Sequence, residues 1–273
     1  MHRWSRLISL HADTKHSHVH FCANPWPDVV DFGNLVQSFP NYFVLGPNIR
    51  WFAEHGVRGV FEEGAGVSAG GGTDLVEMKD YVMAEMLWNP SGREPEQLIT
   101  EFLDGYYGAA APFLRLYMET MHASVDATKT NLLADACSIG VGMNASDRAF
   151  LTPLALLESA RAFDGAAAAL NHSAADQPKD ATVYLERVER ASMAVLYNVL
   201  WRWTEVRQYA RNQSIPWPLP TTQQAAFARF ASIYNASGNQ YLSKLQGPLG
   251  AAVGLHWFHS CIFATAAKPA CKC

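Results

Sequence analysis

No apolar run in this chain reaches the roughly 18 residues that a spanning helix needs, so a membrane is not expected as a partner. Residues 1–18 (MHRWSRLISLHADTKHSH) lack the unbroken apolar centre of a signal peptide, because Arg3, Arg6 and His11 interrupt it. Basic charge is also short. With 21 Lys and Arg against 25 Asp and Glu, the net charge is −4, and no basic stripe interleaves with aromatics. That pattern argues against nucleic acid and against an acidic lipid surface. The five cysteines (Cys22, Cys137, Cys261, Cys271 and Cys273) are scattered and show no C-x-x-C spacing. Neither a disulfide framework nor a zinc site is expected from them. A nucleotide-binding Gly-Lys-Ser/Thr loop is missing altogether.

What is present suits a globular protein: 49% hydrophobic and 17% charged residues over 273 positions, enough to bury a sizeable core in one or two domains. The chain is organised around residues 41–64 (NYFVLGPNIRWFAEHGVRGVFEEG). Pro47 sits where a first helical turn tolerates proline, Ile49, Phe52 and Ala53 recur at helical spacing, and Gly56 closes the turn. Val57 to Phe61 then reads as a short buried strand that runs into Glu62 and Glu63, followed by a glycine-rich loop and another helix. Helix, strand, acids at the strand's carboxyl end, loop, helix is one unit of an α/β barrel, where loops after strands hold the chemistry. Trp26 to Phe32 (WPDVVDF) reads as a second strand, with Pro27 at its start and Asp31 at its end. Two strands neither close a barrel nor stand alone as a sheet.

Everything after Thr73 reads as helix. The apolar stripes are Leu75, Met78, Val82, Met86; Leu98, Ile99, Phe102, Leu103, Tyr106; and Phe113, Leu114, Tyr117, Met118, Met121, Val125. After a looser stretch come Leu156, Ala160, Phe163, Ala167, Leu170, and then one long pattern from Leu185 through Trp203 to Tyr209. Ser214 to Thr222, with three prolines, reads as an extended connector, and Phe227, Phe230 and Tyr234 end on Gly238. The tail from Leu242 has no assignable pattern. The expected division is an irregular leader over 1–24, partial β/α units over 25–125 and a helical domain over 126–273.

Among residues that do chemistry, Gly64-x-Gly66-x-x-Ala69 superficially matches a dinucleotide fingerprint. Glu62 and Glu63 put negative charge where a pyrophosphate would bind, and the following helix starts too late to cap it. His16, His18 and His20 alternate on an extended segment, a ligand set without an anchor, and an irregular leader accounts for them. The carboxylates are the better lead, because an acid at the end of a buried strand is costly to desolvate unless something polar uses it. Sugars offer hydroxyl donors in pairs, and aromatic rings stack on their apolar faces. Trp26, Tyr42, Trp51 and Glu62 are the matching residue types. The alternative for Glu62 and Glu63 is a loop cap or a pair with Arg50 or Arg58. His55 reads as a capping or packing residue at a helix end, and Tyr197, Trp201, Trp203 and Trp217 as core. Four N-x-S/T sequons, at Asn144, Asn171, Asn212 and Asn235, hint at a secretory route and leave the compartment open.

The words PNYFVLGPNIRWFAEHGVRGVFEEG, EMKDYVMAEMLWNPSGREPEQLITEFLDGYYGAAAPFLRLYMETMH, YLERVERASMAVLYNVLWRW and SIPWPL resemble the family called domain of unknown function 4838. That resemblance implies a glycoside-hydrolase-like (β/α)8 barrel, often behind an α-glucuronidase-type domain and followed by a helical region, in mostly secreted proteins. It aligns Trp26 with a tryptophan on the seventh barrel strand, with Pro27 replacing the family's usual acid. Phe32, Phe39-Pro40-Asn41, Gly46-Pro47-Asn48, His55-Gly56 and Glu62 follow the family pattern, whereas the Glu63 position also takes glutamine. Six earlier barrel strands would precede Trp26, where this chain has only about two dozen unrelated residues.

The resulting expectation is a mainly α protein with a small α/β part: the last two β/α units of a (β/α)8 barrel, then a helical domain. Its ligand is a carbohydrate, met by Trp26, Asp31, Trp51, Glu62 and Glu63, with Glu62 the catalytic candidate. In an intact barrel a carboxylate pair would hydrolyse a glycosidic bond without metal or organic cofactor, and this chain by itself is expected to be inactive. The rival expectation is a non-catalytic helical interaction module working through Cys137 to Trp217.

Overall fold

The computed structural model describes residues 31, 34–57, 59–60, 74–130, 132, 148–173, 178–242 and 254–263. Among them the protein is mainly helical, without a strand. In chain order the helices are α1 (Leu45–Glu54), α2 (Val76–Trp88), α3 (Pro95–Tyr107) and, after a 3₁₀ turn at Gly108–Ala110, α4 (Ala111–Thr128). Next come α5 (Pro153–Ser173), α6 (Pro178–Trp201), α7 (Trp203–Asn212), α8 (Gln223–Ala236) and α9 (Leu255–Ile262). α1 packs on α2, α2 on α3 and α3 on α4; α4 then packs on α5, α5 on α6 and α7, and α6 on α8.

The apolar stripes account for this arrangement. Leu75, Met78, Val82 and Met86 are all buried, as are Leu98, Ile99 and Leu103 of α3 and Leu114, Tyr117, Met118 and Met121 of α4. One contiguous core runs from Leu35 to Phe258. Local stops follow residue chemistry. α1 ends at Gly56 with φ +81, where Gly56 N–H donates to Ala53 O at 3.2 Å and Val57 N–H to Phe52 O at 3.0 Å. That is a Schellman closure, and the glycine supplies its left-handed residue. At the α3 exit Gly108 has φ +55, and a Cβ there would lie 2.8 Å from the Tyr184 ring. α8 opens with Thr222 Oγ1 accepting from Ala225 N–H at 3.1 Å, a side-chain cap.

Several expectations are corrected. Val57, Gly59 and Val60 are not in a strand, so the barrel stave expected there is not found at those residues; Phe61 lies outside the described residues. An extended apolar run bonds as a strand only when a neighbour meets its backbone groups. The proposed strand from Trp26 to Phe32 lies outside the described residues apart from Asp31, as do His16, His18 and His20. The long pattern from Leu185 to Tyr209 is two helices, because Arg202 leaves helical geometry at φ −112, ψ 25. Its guanidinium binds Leu151 O and pairs with Glu205. Ala53 is exposed, and the tail holds α9, whose Phe258 is buried against Tyr197 and Phe230. Cys261 is disulfide-bonded, so the scattered cysteines do form a bridge that spacing did not signal.

Candidate functional site

Asp31 and residues 34–42 are buried. Asp31, Asn34, Gln37, Ser38 and Asn41 are all buried, an unusual run of polar side chains with little solvent. Backbone bonds coil it: Asn34 N–H to Asp31 O at 3.0 Å and Gln37 N–H to Asn34 O at 2.9 Å. Leu35 N–H reaches Leu242 O at 2.9 Å, tying the start of the described chain to the stretch after α8.

Two connected polar clusters grip this segment. In the first, Asp74, just before α2, is fully buried. Its Oδ2 accepts from Tyr42 OH at 2.6 Å and from Phe39 N–H at 2.8 Å, and its Oδ1 accepts from Tyr117 OH at 2.6 Å. Lys79, one turn into α2 and equally buried, has Nζ 3.7 Å from Asp74 Oδ2 and donates to Phe39 O at 2.8 Å. The same ammonium lies 5.1 Å from the Tyr42 ring centre and 5.7 Å from that of Phe39. Leu75, between Asp74 and the helix, is held at φ 49, a strained conformation for a bulky residue that persists because its surroundings over-determine it. In the second cluster Arg148 NH2 donates to Asp31 Oδ2 at 2.7 Å and Arg148 Nε to Gln37 Oε1 at 2.5 Å. Asn34 Nδ2 reaches Asp31 Oδ2 at 3.3 Å, and Tyr197 OH donates to Asn34 Oδ1 at 3.0 Å. Ser38 joins the clusters, meeting Tyr117 OH at 2.9 Å and accepting from Asn198 Nδ2 at 2.9 Å.

Burial sets the proton equilibria here. It lowers Lys79 to about 8, and the neighbouring Asp74 charge only partly opposes that. Burial, then the Asp74 charge, pushes Tyr42 and Tyr117 well above the usual phenol value. Between pH 8 and 10.5 the unfolded chain therefore holds a proton that folded Lys79 has released, and stability rises with pH. Above pH 10, unfolded tyrosines ionise while Tyr42 and Tyr117 stay protonated, and stability falls. Urea midpoints from pH 7 to 11 are expected to peak near pH 10, with a Lys79 contribution on the order of 3 kcal/mol. Lys79→Met removes the rising limb. A monotonic fall from pH 8 would contradict this.

The residues expected at a sugar have different surroundings. Asp31 is fully buried and committed to Arg148 and Asn34, which leaves it no surface for a ligand. Trp51 is on α1, partly buried, with its ring stacked on His55 at 3.9 Å and 24°. His55 caps the helix as expected: its Nδ1 lies 2.8 Å from Trp51 O. Arg50 fixes that end of the helix, donating to Pro90 O at 3.0 Å and Arg93 O at 2.6 Å and pairing with Glu94 at 2.9 Å. Trp26, Glu62 and Glu63 lie outside the described residues. Trp203 and Tyr197 are core, and Trp201 and Trp217 pack against it, as their spacing indicated.

Sequence reasoning missed Asp74, Lys79, Arg148 and Asn198. Lys79 carried a signal: it follows Leu75 by four residues and precedes Val82 by three, so a cation stands on the apolar stripe. Asn198 interrupts the run around Val195 and Val199 in the same way. Arg148, in an aperiodic stretch, carried none.

A water-sized cavity of about 10 Å³ is lined by residues that include Phe163, Asp164, Leu196 and Arg229. No helix among the described residues is long and apolar enough to cross a membrane. No curated protein and no solved structure matches the chain. Residues 23–119, a segment that holds Trp26, Asp31, Trp51, Glu62 and Glu63, match the model of a family described as a domain of unknown function (DUF4838).

Proposed function

We propose that this chain is part of a carbohydrate-active protein in which the helical body seats the segments that carry the sugar contacts. The observation that carries the reading is the exit of α1. There the Trp51–His55 stack, with His55 Nδ1 2.8 Å from Trp51 O, stands at a partly exposed helix end, His55 seven residues before Glu62. A rigid aromatic face followed closely by paired acids suits the apolar face and hydroxyls of a sugar. Buried Asp31 and residues 34–42 support the same reading, because they anchor the chain that leads into α1. In this reading Trp26, Trp51, Glu62 and Glu63 meet the ligand and Asp31 is an anchor. Within a complete barrel, Glu62 would be one of two carboxylates acting on a glycosidic bond.

Titration calorimetry of the whole chain against an oligosaccharide panel, with aryl-glycosides for turnover, tests this. Binding of at least one sugar is expected, weakened about tenfold or more by Trp51→Ala, in line with losing an aromatic contact, and similarly by Glu62→Gln. Circular dichroism checks that both variants stay folded. Sugar binding unmoved by either substitution, or no binding at all, would favour the helical interaction module instead.

A further inference from the structure

Three of the four sequons fall among the described residues, and they share one structural position. Asn171 is in the last turn of α5, Asn212 is the final residue of α7 and Asn235 is the penultimate residue of α8. All three asparagines are exposed. In each case the hydroxyl residue two positions on stands at or beyond the helix end: Ser173 ends α5, Ser237 follows α8, and Ser214 lies past α7 with φ 54. Helix ends fray, so these tripeptides leave the helical hydrogen-bond pattern at little cost. None of the three asparagines belongs to the core, so a glycan there displaces no packing.

A second observation is independent of the sequons. Cys261 is disulfide-bonded. Disulfides persist in oxidising compartments, where asparagine in N-x-S/T is also glycosylated.

We propose that Asn171, Asn212 and Asn235 are N-glycosylation sites of a chain that matures in an oxidising secretory compartment. The donor class is an oligosaccharide linked to a lipid pyrophosphate. The asparagine Nδ2 bonds to the anomeric carbon, the bond from that carbon to the pyrophosphate oxygen breaks, and the amide loses one proton. No redox change is involved, and the glycan itself needs no contact with Cys261. This inference does not depend on the carbohydrate-binding reading.

The test is mass spectrometry of the full chain isolated from cells that make it naturally, unreduced, before and after an amidase that releases N-glycans. The expected result is an intact mass above that of the polypeptide, falling on treatment. Peptide mapping then finds aspartate at positions 171, 212 and 235, and Cys261 in a disulfide-linked peptide. Two or more occupied sites with Cys261 oxidised sustain the proposal. Unmodified asparagine at two or more of the three, or Cys261 recovered as a free thiol, overturns it.

Discussion

Asp74→Asn is expected to lower the unfolding free energy by about 3–5 kcal/mol, the range for breaking a buried ion pair from one side. The substitution is nearly isosteric, so packing of Leu75, Tyr42 and Tyr117 is retained and the electrostatic loss is isolated. An amide offers one oxygen where Asp74 now accepts three donors on two oxygens, Tyr42 OH, Phe39 N–H and Tyr117 OH. Its NH2 group would face donors, and Lys79 would lose the carboxylate that stands 3.7 Å from its ammonium. Since whole domains are stable by only about 5–15 kcal/mol, much of the fold is at stake. Urea unfolding followed by circular dichroism and tryptophan fluorescence measures it. A loss under about 1 kcal/mol would show that water reaches this cluster and screens it as it does surface pairs.

The second large effect concerns Arg148 and Asp31. Arg148→Met leaves a carboxylate buried without its cation and leaves Gln37 Oε1 without the Nε donor at 2.5 Å. A loss of about 3–5 kcal/mol is expected again. Asp31→Leu alone strands the guanidinium and costs a similar amount. The double substitution is expected to recover a large part, because two apolar groups of fitting volume replace a desolvated pair. A double-mutant cycle on denaturant midpoints reads this directly, and additive losses would count against a shared interaction. The cycle also bears on the ligand reading. If Asp31 is an anchor, the folded double variant keeps its affinity for any sugar that the parent binds.

The helices were readable because their signal is local. α2, α3 and α4 each bury a stripe that recurs every three or four residues, and Gly56, Gly108 and Gly238 stop their helices by backbone chemistry that a sequence displays. The break at Arg202 was not readable, since Val199, Trp203 and Val206 keep helical spacing across it. What ends α6 is Arg202 reaching Leu151 O, a partner 51 residues earlier. α9 was hidden for another reason: Leu255, Phe258 and Ile262 keep helical spacing, but over eight residues that is too short a run to stand out, and packing on the rings of Tyr197, Phe227 and Phe230 buries Phe258. Among the expected contact residues, Trp51 kept a partly exposed position, whereas Asp31 is enclosed. A carboxylate next to an apolar run reads the same whether it faces a ligand or an arginine 117 positions away.

By itself the sequence determined the helical character, the proline-rich connector, the family match over residues 23–119 and the absence of any long apolar span. Periodicity, turn chemistry and composition act within a few residues, so one dimension suffices for them. The tertiary structure alone decided that Asp31, Asn34, Gln37, Ser38 and Asn41 are buried, that Asp74, Lys79 and Arg148 are charges bonded to that stretch, and that Cys261 is bridged. Those outcomes depend on which groups meet after distant segments pack. In a desolvated interior a buried charge must find its partner there, wherever along the chain that partner lies.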